Sequence, residues 1–571
     1  MSGFDPLNPL IVQADRSIYL EVHNERAEAA RAAIAPFAEL EKSPEHLHTY
    51  RITPLSLWNA ASAGVTPAEM VAALESYAKF PVPPNVATDV RELAARWGRL
   101  RLLEAGNGLA LEVGEEDVPL LTEVTRHKKV APLIGEKMGN KAVAVPLAHR
   151  GLIKQALLEV GWPVEDLAGY AEGVDFPIGL SGTLDVRDYQ LEAAEAFYRG
   201  GSKEGGSGVV VLPPGAGKTV VGMAAMSLVG QRTLVLTTNR TSVNQWRREL
   251  LSKTSLSPDD VAEYGPGRHK LAPVTLATYQ MLTARGKRKE GGELGDLAHL
   301  ALFKAQDWGL IVYDEVHLLP APIFRMTAEV QARRRLGLTA TLIREDGREG
   351  DVFSLIGPKR YDLPWKDLEG RGWIATAECC EVRVRLPEAE RLAYAVAEER
   401  EKFRLAAENP RKRKLTEQIL KLHAGQPALV IGQYLGQLEL IAQDLEAPLI
   451  TGQTPQSERE KLFHAFRDGS LNTIVLSKVG NFALDLPEAQ ILVQVSGTFG
   501  SRQEEAQRLG RLLRPKQGGE TAQFYSLVTR ETREEEFAHH RQLFLAEQGY
   551  AYRISDEAEW EEPTRSVAHL N

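Results

Sequence analysis

Two stretches about 95 residues apart carry the side-chain types that handle a phosphate. In VVVLPPGAGKTVV an apolar run enters a glycine-containing loop and leaves through Lys218-Thr219 into small residues. Backbone N–H groups of such a loop cradle phosphate oxygens where a helix begins. A lysine then reaches the β- and γ-phosphates, and a hydroxyl ligates Mg²⁺. Pro214, Gly215, Ala216, Gly217, Lys218 and Thr219 are therefore candidate nucleotide contacts. The common loop opens on glycine where this chain has Leu212, so only its later glycines are present. The second stretch, GLIVYDEVHLLP, ends an apolar run on Asp314-Glu315. At the C-terminal edge of a parallel sheet, the side where such sheets bind ligands, Asp314 would hold Mg²⁺ together with Thr219, partly through water. Glu315 would orient and deprotonate an attacking water. Lys218, Asp314 and Glu315 are the catalytic candidates of this region.

Those roles require a sheet, and the chain is patterned for two. Apolar runs at Val209–Leu212, Thr233–Leu236, Val274–Ala277, Leu310–Tyr313 and Leu336–Thr339 alternate with helical stretches. A second series follows at Ala428–Ile431, Ala447–Ile450, Thr473–Leu476, Ile491–Val495 and Gln523–Leu527. Short continuous apolar strands separated by helices indicate parallel sheets covered on both faces. The expected fold class is α/β, with two tandem parallel-sheet domains at 176–362 and 428–571 and a connecting segment at 363–427. Residues 1–175 read as a separate mixed α+β module. LIVQADRSIYLEV and RLRLLEAGNGLALEV alternate around polar turns as hairpins do, and Thr66-Pro67-Ala68-Glu69 is a capping box opening a helix.

Composition narrows the class. A chain of 571 residues holds several domains, and 43% hydrophobic with 25% charged residues is ordinary globular protein. With 68 basic and 77 acidic residues the net charge is −9, so a polyanion partner must be met by local patches. Cys379 and Cys380, adjacent and alone, exclude a four-ligand zinc site and fit a reducing compartment. No apolar run reaches about 18 residues, and no basic-then-apolar leader opens the chain. A cytoplasmic protein without membrane contact is expected.

The phosphate loop followed by Asp-Glu-x-His resembles superfamily 2 helicases, whose other motifs recur here in order. Val186-Arg187-Asp188-Tyr189-Gln190 is similar to the segment in which Arg187 and Gln190 would recognise adenine. LTTNRTSVNQW (236–246) and TLATYQ (275–280) resemble segments that contact a nucleic-acid backbone. LTAT (338–341), with Thr339 and Thr341, and His317 fall where hydrolysis is coupled to strand movement. GNFALDLPEA (480–489) resembles a second-domain motif that senses nucleotide and DNA. EEAQRLGRLLRPK (504–516) supplies Gln507, Arg508, Arg511 and Arg514. By that resemblance Gln507 is catalytic, and Arg511 and Arg514 are arginine fingers that neutralise charge developing on the γ-phosphate. It also makes the two α/β domains RecA-like motor domains whose closing and reopening on ATP drive stepping along DNA.

GLTATLIREDG followed by DVFSLIGPKRYDLPW, together with LSKVGNFALDLPEA and SGTFGSRQEEAQRLGRLLRPK, is similar to the xeroderma pigmentosum group B (XPB) helicase family. These segments look like those of its compact bacterial and archaeal members. The resemblance extends through FAELEKSPEHLHTYRITPLSLWNA and so over nearly the whole chain. It implies an ATP- and Mg²⁺-dependent 3′-to-5′ DNA helicase of the nucleotide-excision-repair type. Contacts would run mainly to the backbone at single-strand/double-strand junctions, and a nuclease or transcription/repair partner is implied. Arg344, Glu345 and Asp346 would take part in unwinding. Residues 385–422, with the Arg411–Lys414 run, are the candidate for the family's thumb-like insertion, and the N-terminal module for damage recognition. The alternative is a duplex translocase or remodeller that needs a partner for strand separation.

Overall fold

Both N-terminal hairpins form in the computed structural model, which describes residues 4–43, 46–106, 108–182, 184–213, 215–265, 270–283, 302–303, 305–320, 323–324, 327–328, 330, 333–340, 348–363, 368, 377–477, 489–497, 521–547 and 552–561. Strands β1 (Leu10–Val12) and β2 (Ser17–Glu21) pair antiparallel. With β3 (Glu39–Lys42) and β4 (Leu47–Arg51) they make a sheet of order β1-β2-β4-β3. The capping box opens α1 (Pro67–Tyr77): Glu69 Oε2 accepts the Thr66 N–H at 2.7 Å, and Thr66 Oγ1 accepts the Glu69 N–H at 3.2 Å. Strands β5 (Leu100–Ala105) and β6 (Gly108–Val113) form the second hairpin. They join β7 (Ala142–Val145) and β8 (Val164–Asp166) in the order β7-β6-β5-β8. Leu102, Leu109 and Leu111 of this sheet bury against Ile153 and Leu157 of α2 (Arg150–Glu159).

The chain divides into two units: Met1–Glu39, Thr49–Leu212 and Gly217–Asp362 form one, and Leu40–His48, Pro213–Ala216 and Leu363–Asn571 the other. The first holds a seven-stranded sheet of β9 (Ser207–Val211), β10 (Thr233–Thr237), β11 (Val261–Tyr264), β12 (Val274–Thr278), β13 (Leu310–Asp314), β14 (Arg334–Thr339) and β15 (Lys359–Asp362). Its order is β11-β12-β10-β13-β14-β9-β15, and every pair is parallel. Helices α3 (Asp188–Tyr198), α4 (Lys218–Val229) and α5 (Arg240–Lys253) cover it. Continuous apolar strands are what this double burial requires. Because β9, β14 and β13 are neighbours, Leu212, Thr339 and Asp314 leave the sheet side by side at its C-terminal edge.

The N-terminal region is packed onto this sheet through polar and charged side chains. On α6 (Glu349–Leu355), Asp351 accepts from Gln155 Nε2 at 2.8 Å, and Phe353 meets Trp97 edge to face at 5.7 Å. Asp166 accepts from Arg150 at 2.8 and 3.0 Å and from Lys154 at 2.7 Å, all three nearly buried. The ring of Tyr170 is flanked by the guanidinium groups of Arg150, Arg334 and Arg335 at 5.6–5.8 Å. Burial alone would raise the Asp166 carboxyl, but the Lys154 and Arg150 charges outweigh it and hold the group well below its ordinary 3.8. A depressed carboxyl stabilises the fold above its ordinary value and loses that contribution as pH falls below it. Asp166→Asn, which takes the shared counter-charge from the buried Arg150 and Lys154, is expected to cost about 3–5 kcal/mol. Acid titration of the first unit's melting temperature checks it: the variant starts lower and has a flatter fall below about pH 4.

The second unit holds β16 (Ala377–Val384), β17 (Ala428–Gly432), β18 (Leu449–Ile450), β19 (Thr473–Ser477), β20 (Ile491–Gln494), β21 (Ala522–Thr529) and β22 (Tyr552–Asp556). They are parallel and ordered β18-β19-β17-β20-β21-β16-β22. The fold is thus α/β, with two parallel-sheet domains after a mixed α+β region. Within the segment 363–427, expected to be a connection, β16 instead forms an inner strand of the sheet. Cys379 is buried on β16, and Cys380 Sγ lies 3.4 Å from Ser555 Oγ. Helix α7 (Glu388–Val396) buries no residue and exposes Leu392 and Val396. Within the stretch 385–422, the candidate for the thumb-like insertion, helix α8 (Arg411–Leu422) buries Leu415 and Ile419 in the core of the sheet. Its basic run is engaged internally: Arg411 donates to Glu557, Lys412 to Glu534 and Arg413 to both oxygens of Asp444. Among the described residues no helix is long and apolar enough to cross a membrane.

Candidate nucleotide-hydrolysis site

The phosphate loop leaves β9 with the Leu212 N–H donating to Thr339 O at 2.9 Å. Gly215 and Gly217 then take φ of +83° and +80°, left-handed conformations that favour glycine. At Gly217 a side chain would also displace the Gln190 amide, since a Cβ would lie 2.4 Å from its Nε2. Gln190 is buried on α3, and its Oε1 accepts the Arg187 N–H at 3.1 Å. The Arg187 guanidinium donates to Tyr189 Oη at 3.0 Å. The structure thus brings Gln190, one of the expected adenine-recognition pair, against the last glycine of the loop, with Arg187 bonded to Gln190 through its main-chain N–H. Lys218 opens α4, with Thr219 beside it on the same turn. Its ammonium lies 3.5 Å from Leu212 O and 3.6 Å from Glu315 Oε1.

At the end of β13 the chain reverses through Glu315, whose φ of 54° and ψ of 55° are left-handed without glycine. That conformation costs about 1–2 kcal/mol, a strain often found where a side chain is aimed for function. A short turn, Val316–Leu318, follows and carries His317. His317 Nδ1 is 2.7 Å from Thr339 Oγ1, both residues buried, and 3.7 Å from Glu315 Oε2. The Asp-Glu-Val-His run is thereby tied to the end of β14. Asp314 itself is held twice: Trp246 Nε1 donates to its Oδ2 at 2.9 Å, and Tyr279 Oη donates to its main-chain carbonyl at 2.8 Å.

Burial and the neighbouring Glu315 charge push Asp314 up to about 6, against the Trp246 hydrogen bond and the Lys218 charge. Glu315 Oε2 is buried without a hydrogen-bond partner among the described residues. Two crowded carboxylates, one with an unsatisfied oxygen, fit a cation brought in with its own ligands. Mg²⁺ suits them, because it keeps several waters and binds through one or two carboxylates plus phosphate oxygens. Among the described residues no cluster of three or more His, Cys, Asp or Glu side chains could cage a metal unaided. Asp314 and the Thr219 hydroxyl are the groups that would hold the hydrated ion.

Several expected site residues lie outside the described residues: Pro214, Thr341, Arg344, Glu345, Asp346, Gln507, Arg508, Arg511 and Arg514. Most of the segment 480–489 does too. Trp246 and Tyr279 are the residues that sequence reasoning passed over. Both stand inside quoted motifs, but nothing in the spacing shows that their polar atoms converge on Asp314.

Tandem parallel sheets, the first carrying a phosphate-type loop beside Asp-Glu-Val-His at its C-terminal edge, define a helicase-type nucleotide-driven motor. Three family models match the chain. The model described as ERCC3/RAD25/XPB C-terminal helicase covers residues 368–569, and Type III restriction enzyme, res subunit, covers 183–344. Helicase conserved C-terminal domain covers 10–139, where the structure has antiparallel hairpins. The chain is 56% identical over 550 residues to the DNA 3′-5′ helicase XPB of Kineococcus radiotolerans, covering 96% of each. To the protein of that name in Mycobacterium tuberculosis it is also 56% identical, over 96% of this chain and 98% of the relative. It is 34% identical to the general transcription and DNA repair factor IIH helicase/translocase subunit XPB of Antonospora locustae, covering 95% of this chain and 81% of that one. The chain belongs to the XPB helicase family.

Proposed function

We infer that the chain is an ATP-dependent 3′-to-5′ DNA helicase acting in DNA repair. The observation that carries this reading is whole-length likeness to relatives named DNA 3′-5′ helicase XPB, joined to the Lys218–Glu315–Asp314 cluster at one sheet edge. In this reading Lys218 holds the β- and γ-phosphates, and Asp314 and Thr219 seat Mg²⁺. Glu315 takes the proton of the attacking water, and Arg187 and Gln190 read the adenine. His317 and Thr339, joined at 2.7 Å, pass the state of the carboxylates to β14. Gln507, Arg511 and Arg514 complete the hydrolytic set, and Thr341 with Arg344–Asp346 engages DNA. Segments 236–246 and 275–280 supply backbone contacts, which are insensitive to base sequence and weaken with salt. A repair or transcription partner is part of this reading, since the Antonospora relative is named as a factor subunit.

The test is strand separation on 3′-tailed and 5′-tailed forks beside DNA-stimulated ATP hydrolysis, with Lys218→Ala as control. The expected result is displacement from the 3′-tailed fork alone and none by the variant. The word translocase in the name of the Antonospora relative favours one second reading, a duplex translocase. ATP turnover on duplex DNA with no strand displaced from either fork would select it.

A further inference from the structure

Asp314 is the one described carboxylate of the site gripped by neutral donors from two other elements. Trp246 lies on α5, the helix that follows β10 and continues the 236–246 segment. Its indole is 1% exposed and crosses over α4 so closely that a Cβ on Gly222 would lie 2.5 Å from Cη2. Bare backbone at Gly222 is what admits the ring, and the ring's only polar atom ends 2.9 Å from Asp314 Oδ2. Tyr279 follows β12 and belongs to the 275–280 segment; it is 3% exposed and its hydroxyl reaches Asp314 O at 2.8 Å. Neither ring can touch a ligand from where it is buried. A carboxylate at a sheet edge otherwise rotates about χ2, a broad and nearly unrestricted torsion. Hydrogen bonds to charged groups are the strong ones, so the indole donor selects one orientation.

We propose that Trp246 and Tyr279 are positioning residues for hydrolysis: the indole N–H fixes the Asp314 carboxylate and the phenol O–H fixes its main-chain carbonyl, so the segments carrying them set the geometry of the metal seat. This rests on the ATPase reading above, in which Asp314 holds Mg²⁺. Movement of α5 or of the 275–280 segment, when DNA is gripped, is then felt first by the metal ligand. The phosphate loop is affected less, because these two hydrogen bonds end on Asp314.

The test uses the full chain with Trp246→Phe, which removes the N–H and puts a smaller aromatic ring in its place, and Tyr279→Phe, which removes the O–H and keeps the ring. Affinity for a fluorescent ATP analogue is measured in EDTA and across a Mg²⁺ titration, alongside ATP hydrolysis with and without DNA. For Trp246→Phe the affinity in EDTA stays within about twofold, and half-saturating Mg²⁺ rises about tenfold, the value of one charged hydrogen bond. Both variants lower the ratio of DNA-stimulated to basal turnover. Mg²⁺ curves and stimulation ratios superimposable on wild type in both variants would overturn the proposal and leave the rings as core filling. If Trp246→Phe loses nucleotide affinity in EDTA through misfolding, Tyr279→Phe, one oxygen smaller, decides through its stimulation ratio. A wild-type chain whose turnover ignores Mg²⁺ would overturn the metal seat at Asp314 and this proposal with it, whereas a wild-type chain without ATP turnover would overturn the ATPase reading itself.

Discussion

Glu315→Gln lowers DNA-stimulated ATP turnover by about 10²–10⁴-fold, the range set by removing a general base, while nucleotide binding persists. Glutamine keeps the shape, the left-handed backbone and an oxygen that can stay near Lys218, now 3.6 Å from Glu315 Oε1. It cannot accept a proton from water. The change also removes a negative charge from beside Asp314, whose carboxyl is pushed up to about 6 by burial and then by Glu315. Asp314 therefore ionises more readily in the variant, and the melting temperature is expected to hold or rise. A catalytic collapse without loss of stability separates a lost base from a damaged fold. Single-turnover hydrolysis, nucleotide affinity and thermal melting read the three quantities. Turnover within a few-fold of wild type would remove Glu315 from the role of base.

Lys412→Met is expected to destabilise the second unit by about 3–5 kcal/mol. Lys412 and Glu534 are both wholly buried and meet at 2.7 Å, with Lys412 also donating to Val495 O at 3.0 Å. The Thr529 N–H donates to the same Glu534 oxygen at 2.9 Å. This pair therefore joins α8 to β21 and to the chain just beyond β20. Methionine fills most of the lysine volume but leaves a carboxylate in the interior with one amide donor. The cost is mainly that of the stranded charge, not of the lost attraction. The double variant Lys412→Met/Glu534→Gln, which keeps an acceptor for Thr529, should recover much of the loss. Denaturant unfolding of the four members of the cycle gives the coupling; a single variant within about 1 kcal/mol of wild type would contradict it.

Strands buried on both faces were legible because nothing else explains a run such as Leu310–Tyr313 or Ala428–Ile431. The edge strands β11, β15 and β22 were not, since sequences such as VAEY, KRYD and YRISD carry charges that an edge tolerates. Strand β16 was hidden differently. Its AECCEVRV alternates charged with apolar residues, and the buried Glu381 is met by Arg383 two residues along the strand and by Tyr552 at 2.7 Å, 171 residues away. At the site, the loop and Asp314-Glu315 were readable because each motif is local. The donors that steady Asp314 come from 68 and 35 residues away, a proximity that only the parallel sheet creates. The engagement of Arg411, Lys412 and Arg413 in intramolecular pairs was invisible for the same reason.

The charged seam between the N-terminal region and the first parallel sheet has a consequence for how such chains can be inherited. A cut at residue 175, where the sequence texture changes, would leave Arg334 and Arg335 on β14 without Tyr170, Asp166 and Arg150. It would also strip Trp97 and Gln155 from α6. Recombination that swapped in an unrelated N-terminal region would bury the Arg335 cation against a surface never selected to receive it. A substitution at Asp166, Tyr170 or Arg335 therefore alters the surroundings of the others across the seam, and not on one side alone.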